Sequence, residues 1–86
     1  MATVSLRIEP EFCGPMSIGT VIVVKLLAEH LALTIPSAIE YVNRCVFDGE
    51  EVGIVASSLA AAERFVVAVL ALPPVPRVVA SVIPHK

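Results

Sequence analysis

Apolar and polar residues alternate at the beginning of the chain. Between Val4 and Glu9 every second side chain is apolar, which is the pattern of a β-strand that buries one face. Pro10 ends this strand. The next apolar run, residues 16–33, is too long for a typical strand and predicts a helix, although its β-branched residues 21–24 favour a strand locally. This helix is apolar almost all round, which indicates burial on most sides.

The second helix has a capping signal at its start and a glycine at its end. Either Thr34 or Ser37 can serve as the N-cap, and Ser37 has capping-box spacing with Glu40. Gly49 supplies the left-handed residue with which helices commonly end. The apolar residues between these signals are predicted to face inward: Ala38, Ile39, Val42, Cys45 and Val46.

A strand, a helix and a last strand complete the predicted elements. Residues 52–56 form a short apolar strand, in which Gly53 marks either a weak point or a bulge. Residues 59–72 predict a third helix, because two prolines stop the apolar pattern directly after it. The β-branched run 77–83 predicts the last strand, and residues 84–86 are expected to form a flexible tail.

The predicted order of elements is β-α-α-β-α-β. Such an order predicts an α+β fold in which a three-stranded sheet is covered on one face by three helices. Residues 1–86 are too few for a second hydrophobic core, so we expect them to form a single domain.

Composition adds an excess of apolar surface to this picture. Apolar residues make up 57% of the chain and charged residues only 16%, whereas typical domains have about 25% charged residues. A chain of this length buries roughly 60–65% of its unfolded surface, so part of the remaining surface must be apolar. Exposed apolar patches usually mark a contact with another chain or a ligand. We therefore expect a homodimer, a protein partner, or both.

Charge and hydropathy argue against two other kinds of partner. Eight acidic residues stand against six scattered basic ones, which disfavours nucleic-acid binding. Lys25, Glu29 and His30 interrupt the first helix, so it lacks the roughly 18–20 uninterrupted apolar residues of a membrane span. The residues before Glu9 do not have the pattern of a secretory leader. We therefore expect a cytoplasmic protein that does not bind membranes.

Few side chains could support catalysis or hold a metal. The cysteines and histidines of the chain are Cys13, His30, Cys45 and His85. A cysteine nucleophile needs a histidine and an orienting acid beside it, and the intervals between these four residues are far from those of compact zinc sites. The glycines match no nucleotide-binding fingerprint. We predict a protein without enzymatic activity, cofactor or bound metal.

Several short motifs accompany the predicted order of elements. A Pro-Met pair ending at Met16 opens the first helix, and an alanine-led second helix occupies Ala38–Gly49. A Val-Gly strand at Val52 and an Ala-Glu helix at Ala62 follow. In these motifs and in element order the chain resembles the ClpS protease adaptors over nearly its whole length. The same fold occurs in the C-terminal domain of the ribosomal stalk protein. The resemblance implies this fold and a protein-binding role.

The departures from these families fall where the families bind their partners. ClpS adaptors recognise substrate N-termini with an Asn-Asp-Asp turn and with a histidine late in the second helix. Here the turn positions hold Pro10, Glu11 and Phe12, and Val46 stands in place of the histidine. The stalk domain meets translation factors through a lysine-rich first helix, where this chain has only Lys25. The resemblance therefore does not imply either family's substrate.

By the same resemblance, a partner site is expected between the turn after the first strand and the second helix. The matching positions are Glu11, Phe12, Met16, Val42 and Val46. This mostly apolar set cannot satisfy a charged amino terminus, because a buried unpaired charge is costly. It could receive an apolar side chain, with a methionine adapting its shape. Alternatively, the two valines belong to the core and only Phe12 is exposed.

These observations lead to three hypotheses about function. The first is a non-enzymatic protein–protein interaction domain, adaptor-like or accessory, that binds a partner through an apolar surface. The second is a small obligate homodimer with a structural or regulatory role. The third is a carrier of a small apolar ligand. The first two differ in whether the apolar surface stays open in the purified protein.

Overall fold

A computed structural model describes residues 1–9, 18–72 and 77–84 of the chain. These ranges contain three strands and three helices in the predicted order. The elements are β1 (Ala2–Glu9), α1 (Ile18–Leu31), α2 (Ile35–Asp48), β2 (Val52–Ala56), α3 (Leu59–Leu70) and β3 (Arg77–Pro84). The strand bounds agree closely with the sequence pattern: β1 begins at Ala2, two residues before the predicted Val4, and the last strand extends one residue further than predicted, through Pro84.

Strand β1 lies at the centre of the sheet. The strand order is β2-β1-β3, and both pairs are antiparallel. The alternating side chains of β1 divide as expected: Val4, Leu6 and Ile8 are buried, whereas Arg7 points out and is exposed. The helices cover the buried face, with α2 packed over β1 and β2 and α3 packed over β3. The predicted α+β fold, with a sheet covered on one face, is confirmed.

The capping residues of α2 agree with the sequence signals. Thr34 is the N-cap, since the backbone N–H of Ser37 donates to Thr34 Oγ1 at 3.3 Å. At the other end Gly49 has φ +64° and its N–H donates to the carbonyl of Arg44. Gly49 therefore ends the helix in the left-handed conformation, where a glycine avoids the penalty of a Cβ.

Helix α1 shows two effects that local propensity does not predict. Its β-branched run is helical, because burial against α2 and α3 outweighs the local preference for strand. The helix also ends at Leu31, before the end of the apolar run. Ala32 takes φ +56°, and this left-handed residue turns the chain into the short link to α2.

The core lies between the helices and the inner face of the sheet. Its largest fully buried side chains are Phe65, Leu6, Ile8, Leu27 and Ile54. Gly53 produces no bulge, because β2 pairs with β1 in one continuous register. The prediction that Ile39 faces inward is wrong: its side chain is exposed, because the apolar stripe of α2 is wider than the surface that the sheet and α1 cover. In the described ranges, no helix is long and apolar enough to cross a membrane.

Candidate functional site

Helices α1 and α2 enclose an apolar groove of about 290 Å³. We call it the α1–α2 groove. Helix α1 contributes Thr20, Val21, Val24 and Lys25, and helix α2 contributes Ile35, Ile39, Val42 and Asn43. All the residues that line this groove belong to α1 and α2, and the groove is partly open to solvent.

The spacing of residues on each helix produces the walls of the groove. On α2, Ile35, Ile39 and Val42 follow one another at i, i+4 and i+7 and therefore share one side of the helix. Val42 forms the floor, with only 2% of its side chain exposed. The walls stay open to solvent: Val21 is 44% exposed, Ile35 49% and Ile39 43%. Three large aliphatic side chains are thus held half out of water around a buried floor.

Three of the residues that line this groove are polar: Thr20, Lys25 and Asn43. Lys25 and Asn43 are both exposed there, on opposite helices. The ammonium group of Lys25 is the only cationic group among the lining residues. Thr20 is buried. The site therefore presents an aliphatic surface with one positive charge beside it.

The sequence-predicted partner site overlaps this groove at one position. Val42 lies on the groove floor and also belongs to the core. Val46 is half-buried against the core and does not line the groove. The remaining three positions, Glu11, Phe12 and Met16, lie outside the described residues. A pocket at the turn before α1 therefore stays a prediction.

Sequence reasoning missed the two residues of α2 that define the groove wall, Ile35 and Ile39. A signal for them was present, because Ile35, Ile39, Val42 and Val46 repeat at i, i+4, i+7 and i+11 along one side. This stripe shares Val42 with the buried stripe of Ala38, Val42 and Cys45 and otherwise lies to one side of it. Two adjacent apolar stripes on one helix indicate two different neighbours, of which the sheet is only one.

A second depression lies between the end of α1 and the outer side of α3. It is shallow, wide open and lined by His30, Ala60, Glu63, Arg64 and Val67. Its side chains are of mixed charge, and no buried polar group among the described residues points into it without a partner. It lacks the apolar floor and walls of the α1–α2 groove.

The described thiol is unsuited to nucleophilic chemistry. Cys45 is fully buried and its Sγ donates to the carbonyl of Leu6 at 3.6 Å. Burial raises the pKa of this thiol to about 11, so it stays protonated at neutral pH, whereas the thiolate is the reactive form. Among the described residues, no group of three His, Cys, Asp or Glu side chains could hold a metal ion. Cys13 and His85 lie outside those residues.

No protein-family model matches the chain, and no curated protein or solved structure is significantly similar to it. The likeness to ClpS adaptors therefore rests on the motifs and the order of elements alone.

Proposed function

We propose that this chain is a non-enzymatic protein-interaction domain whose α1–α2 groove receives an apolar segment of a partner protein. The observation that supports this most directly is the half-exposed aliphatic wall around a buried floor. Exposed apolar surface that is concave and rimmed by polar groups is typical of protein contact sites. An adaptor-like or accessory role follows from such a site, since it binds without performing chemistry.

The groove suggests the chemistry of the partner. Two helices with a cleft between them suit an amphipathic segment that inserts side chains at i, i+3 or i+4 and i+7. Lys25 at the rim favours an acidic residue next to the inserted apolar side chains. The partner segment is therefore expected to be an apolar stripe flanked by aspartate or glutamate.

The resemblance to ClpS adaptors supports the same class of function. Those adaptors bind peptides beside the second helix, and Val42 is common to the site that the resemblance implies and to the groove. A cytoplasmic location is part of this proposal. It fits the buried free thiol of Cys45, because small secreted domains generally pair their cysteines.

A peptide-library selection with the purified protein tests the proposal. Val21→Asp places a charge on the groove wall and is expected to weaken binding of selected peptides by about tenfold or more, because it would bury a charge. The matched control is Val67→Asp, at an exposed valine of α3 outside the groove, which is expected to leave binding unchanged. Equal binding by both variants, with native circular dichroism spectra, would remove the groove as the site.

A charge reversal tests the expected partner chemistry. Lys25→Glu should weaken the binding of acidic peptides and lessen the salt dependence of that binding, whereas Arg64→Glu on α3 should not.

Two further variants, Phe12→Asp and Met16→Glu, test the pocket that the resemblance implies. Losses confined to those two variants would move the site to the turn before α1. Binding of small apolar probes without any peptide binding would favour a ligand carrier instead.

A further inference from the structure

Strand β3 carries the features that normally protect the edge of a sheet only at its two ends, Arg77 and Pro84. Among the described elements it pairs only with β1, from Glu9↔Arg77 to Ala2↔Pro84. An edge strand leaves alternate backbone N–H and C=O groups unpaired, and natural edges are usually short, bulged or charged. Strand β3 is eight residues long and has no charged residue between Arg77 and Pro84. Its free edge is therefore a template for another strand.

The inner-face side chains of the sheet are also less buried at this edge than elsewhere. The inner-face residues of β1 and β2 are at most 2% exposed. The corresponding residues of β3, Val78, Ala80 and Val82, pack against the core but are only half-buried. Helix α3 packs on them and β1 pairs with the other side of the strand, so no described element covers the free edge. A neighbour at this edge would complete their burial.

We propose that two copies of the chain pair along β3, antiparallel about a two-fold axis at Ser81, to form one continuous six-stranded sheet. In this register Ser81 faces Ser81 of the second copy. Val79 meets Ile83 on the outer face, and Ala80 meets Val82 on the inner face. Directly opposed side chains of this kind stabilise an antiparallel pair. The contact is isologous, as a two-fold dimer requires.

Charge and pairing favour this register over its neighbour. Arg77 is the only charged residue of β3, and in the proposed register it lies beyond the paired residues. With the axis at Ala80 instead, Arg77 would face Ile83 and Val79 would face a serine. Within the described strand, the proposed register therefore places apolar residues opposite apolar residues and pairs Arg77 with none of them.

Both faces of β3 offer apolar side chains to a second copy. On the outer face Val79 is 45% exposed and Ile83 54%, and the half-buried inner row adds apolar area on the other face. The strand would thus be engaged through its backbone and through both faces.

This interface is separate from the α1–α2 groove. It uses the edge strand beneath α3, whereas the groove lies between α1 and α2. The proposal of a dimer can therefore be disproved without affecting the proposal of the α1–α2 groove as a binding site, and the reverse is also true.

Sedimentation velocity over a range of protein concentrations tests the dimer. We expect a mass twice the 9.1 kDa of the chain at tens of micromolar, and weaker association by about tenfold or more for Val79→Lys, which puts a charge at the new contact. Val55→Lys is the control, because Val55 is exposed on the outer face of the other edge strand. A monomer at all concentrations, or equal effects of the two variants, would overturn the proposal. A foreign strand as the natural occupant of this edge would likewise leave the pure protein monomeric.

Cross-linking tests the register in a Cys13→Ser background, where Cys45 is buried and protonated. Ser81→Cys should form a covalent dimer under mild oxidation, because the two thiols would face each other at the axis. Ala80→Cys serves as the out-of-register control and should remain unlinked. Preferential linkage through Ala80→Cys, or none through either variant, would contradict a two-fold axis at Ser81.

Discussion

The two edge strands of the sheet differ in how completely the rest of the molecule covers them. Strand β2 has five residues, and its inner-face side chains are buried as completely as those of the central strand. Strand β3 has eight residues, and its inner-face side chains are only half-buried. Both strands pair with β1 in a continuous antiparallel register, so backbone pairing does not cause the difference.

Local polar contacts hold the turn through which the chain enters β2. Helix α2 passes directly into β2 through the left-handed Gly49, and Arg44 forms a bidentate ion pair with Glu50 across this turn, at 2.5 and 3.2 Å. Ser5 on β1 donates to the carboxylate of Glu51 beside it. The contrast between the two edges is confined to their inner faces, because the outer faces of both carry exposed apolar side chains: Val55 on β2 is 59% exposed and Ile83 on β3 is 54% exposed.

The largest effect on stability is expected from truncating an inner-face valine to alanine on each of the two edge strands. Val52→Ala on β2 should lower the free energy of unfolding by about 2 to 3 kcal/mol, from lost burial of two methyl groups and the cavity left behind. Val82→Ala on β3 should cost about half as much in dilute protein. Chemical denaturation measures both. Equal losses at low concentration would contradict the contrast, and a Val82→Ala loss that grows with concentration would support pairing at this edge.

The stability of the protein at alkaline pH tests how completely Cys45 is shielded from water. The pKa of Cys45 is raised from 9.0 to about 11 by burial, so the folded state holds the proton more tightly than the unfolded chain. This contribution to stability is fully present below pH 9 and is lost as the pH rises towards 11, by roughly 1.4 kcal/mol for each pH unit. Cys45→Ala should flatten this part of the stability profile. An unchanged profile would mean that the thiol is accessible to water.

Two glycines of the β2 side should respond oppositely to alanine. Gly49→Ala is expected to cost about 1 kcal/mol, because φ is +64° although no atom lies within 4 Å of the added Cβ. At Gly53 the added Cβ would lie 3.4 Å from Thr3 Cγ2, an ordinary contact. Gly53→Ala should therefore be neutral or stabilise by about 0.5 kcal/mol. Thermal melting distinguishes them, and an unaffected Gly49→Ala variant would show that the turn does not need its left-handed residue.

The smallest effect is expected at the exposed ion pair. Hydrogen bonds from Arg44 lower the pKa of Glu50 below its ordinary value of 4.5. Its contribution to stability is therefore present above pH 4.5 and is lost as the pH falls through the lower, folded-state pKa. Glu50→Gln should remove this small acid-dependent loss, and Glu63→Gln on α3 is the control. Titration by NMR should show a normal pKa for Glu50 in an Arg44→Ala variant.

The strands could be predicted closely from the sequence because β1 alternates apolar and polar residues, whereas β2 and β3 are short runs rich in apolar and β-branched residues. The predicted bounds Val52–Ala56 agree with the structure. The start of α2 was ambiguous because Thr34 and Ser37 both satisfy the local rule for a cap. In the structure the hydroxyl of Thr34 accepts from the N–H of Ser37. The end of α1 gave no signal, since alanine rarely adopts the left-handed conformation that Ala32 takes.

The candidate site was harder to predict because it depends on how two helices pack. Periodicity places Ile39 on the apolar side of α2, but it cannot distinguish a side chain under the sheet from one beside α1. Only the tertiary arrangement leaves Ile39 in the wall of a groove. Lys25 was recognised as lying in the first helix, but its position at the rim of that groove likewise follows from packing.

The central position of β1 has a consequence for how the protein is made. Ala2 pairs with both Ala56 and Pro84. Strand β1 is therefore the partner of both other strands, yet it is synthesised before either of them. All three helices are also synthesised before β3 emerges. Contacts between distant residues form slowly, and apolar strands that wait for partners are prone to aggregate. Nascent chains stalled on the ribosome before β3 should therefore be sensitive to protease, and should become resistant only when that strand has left the exit tunnel.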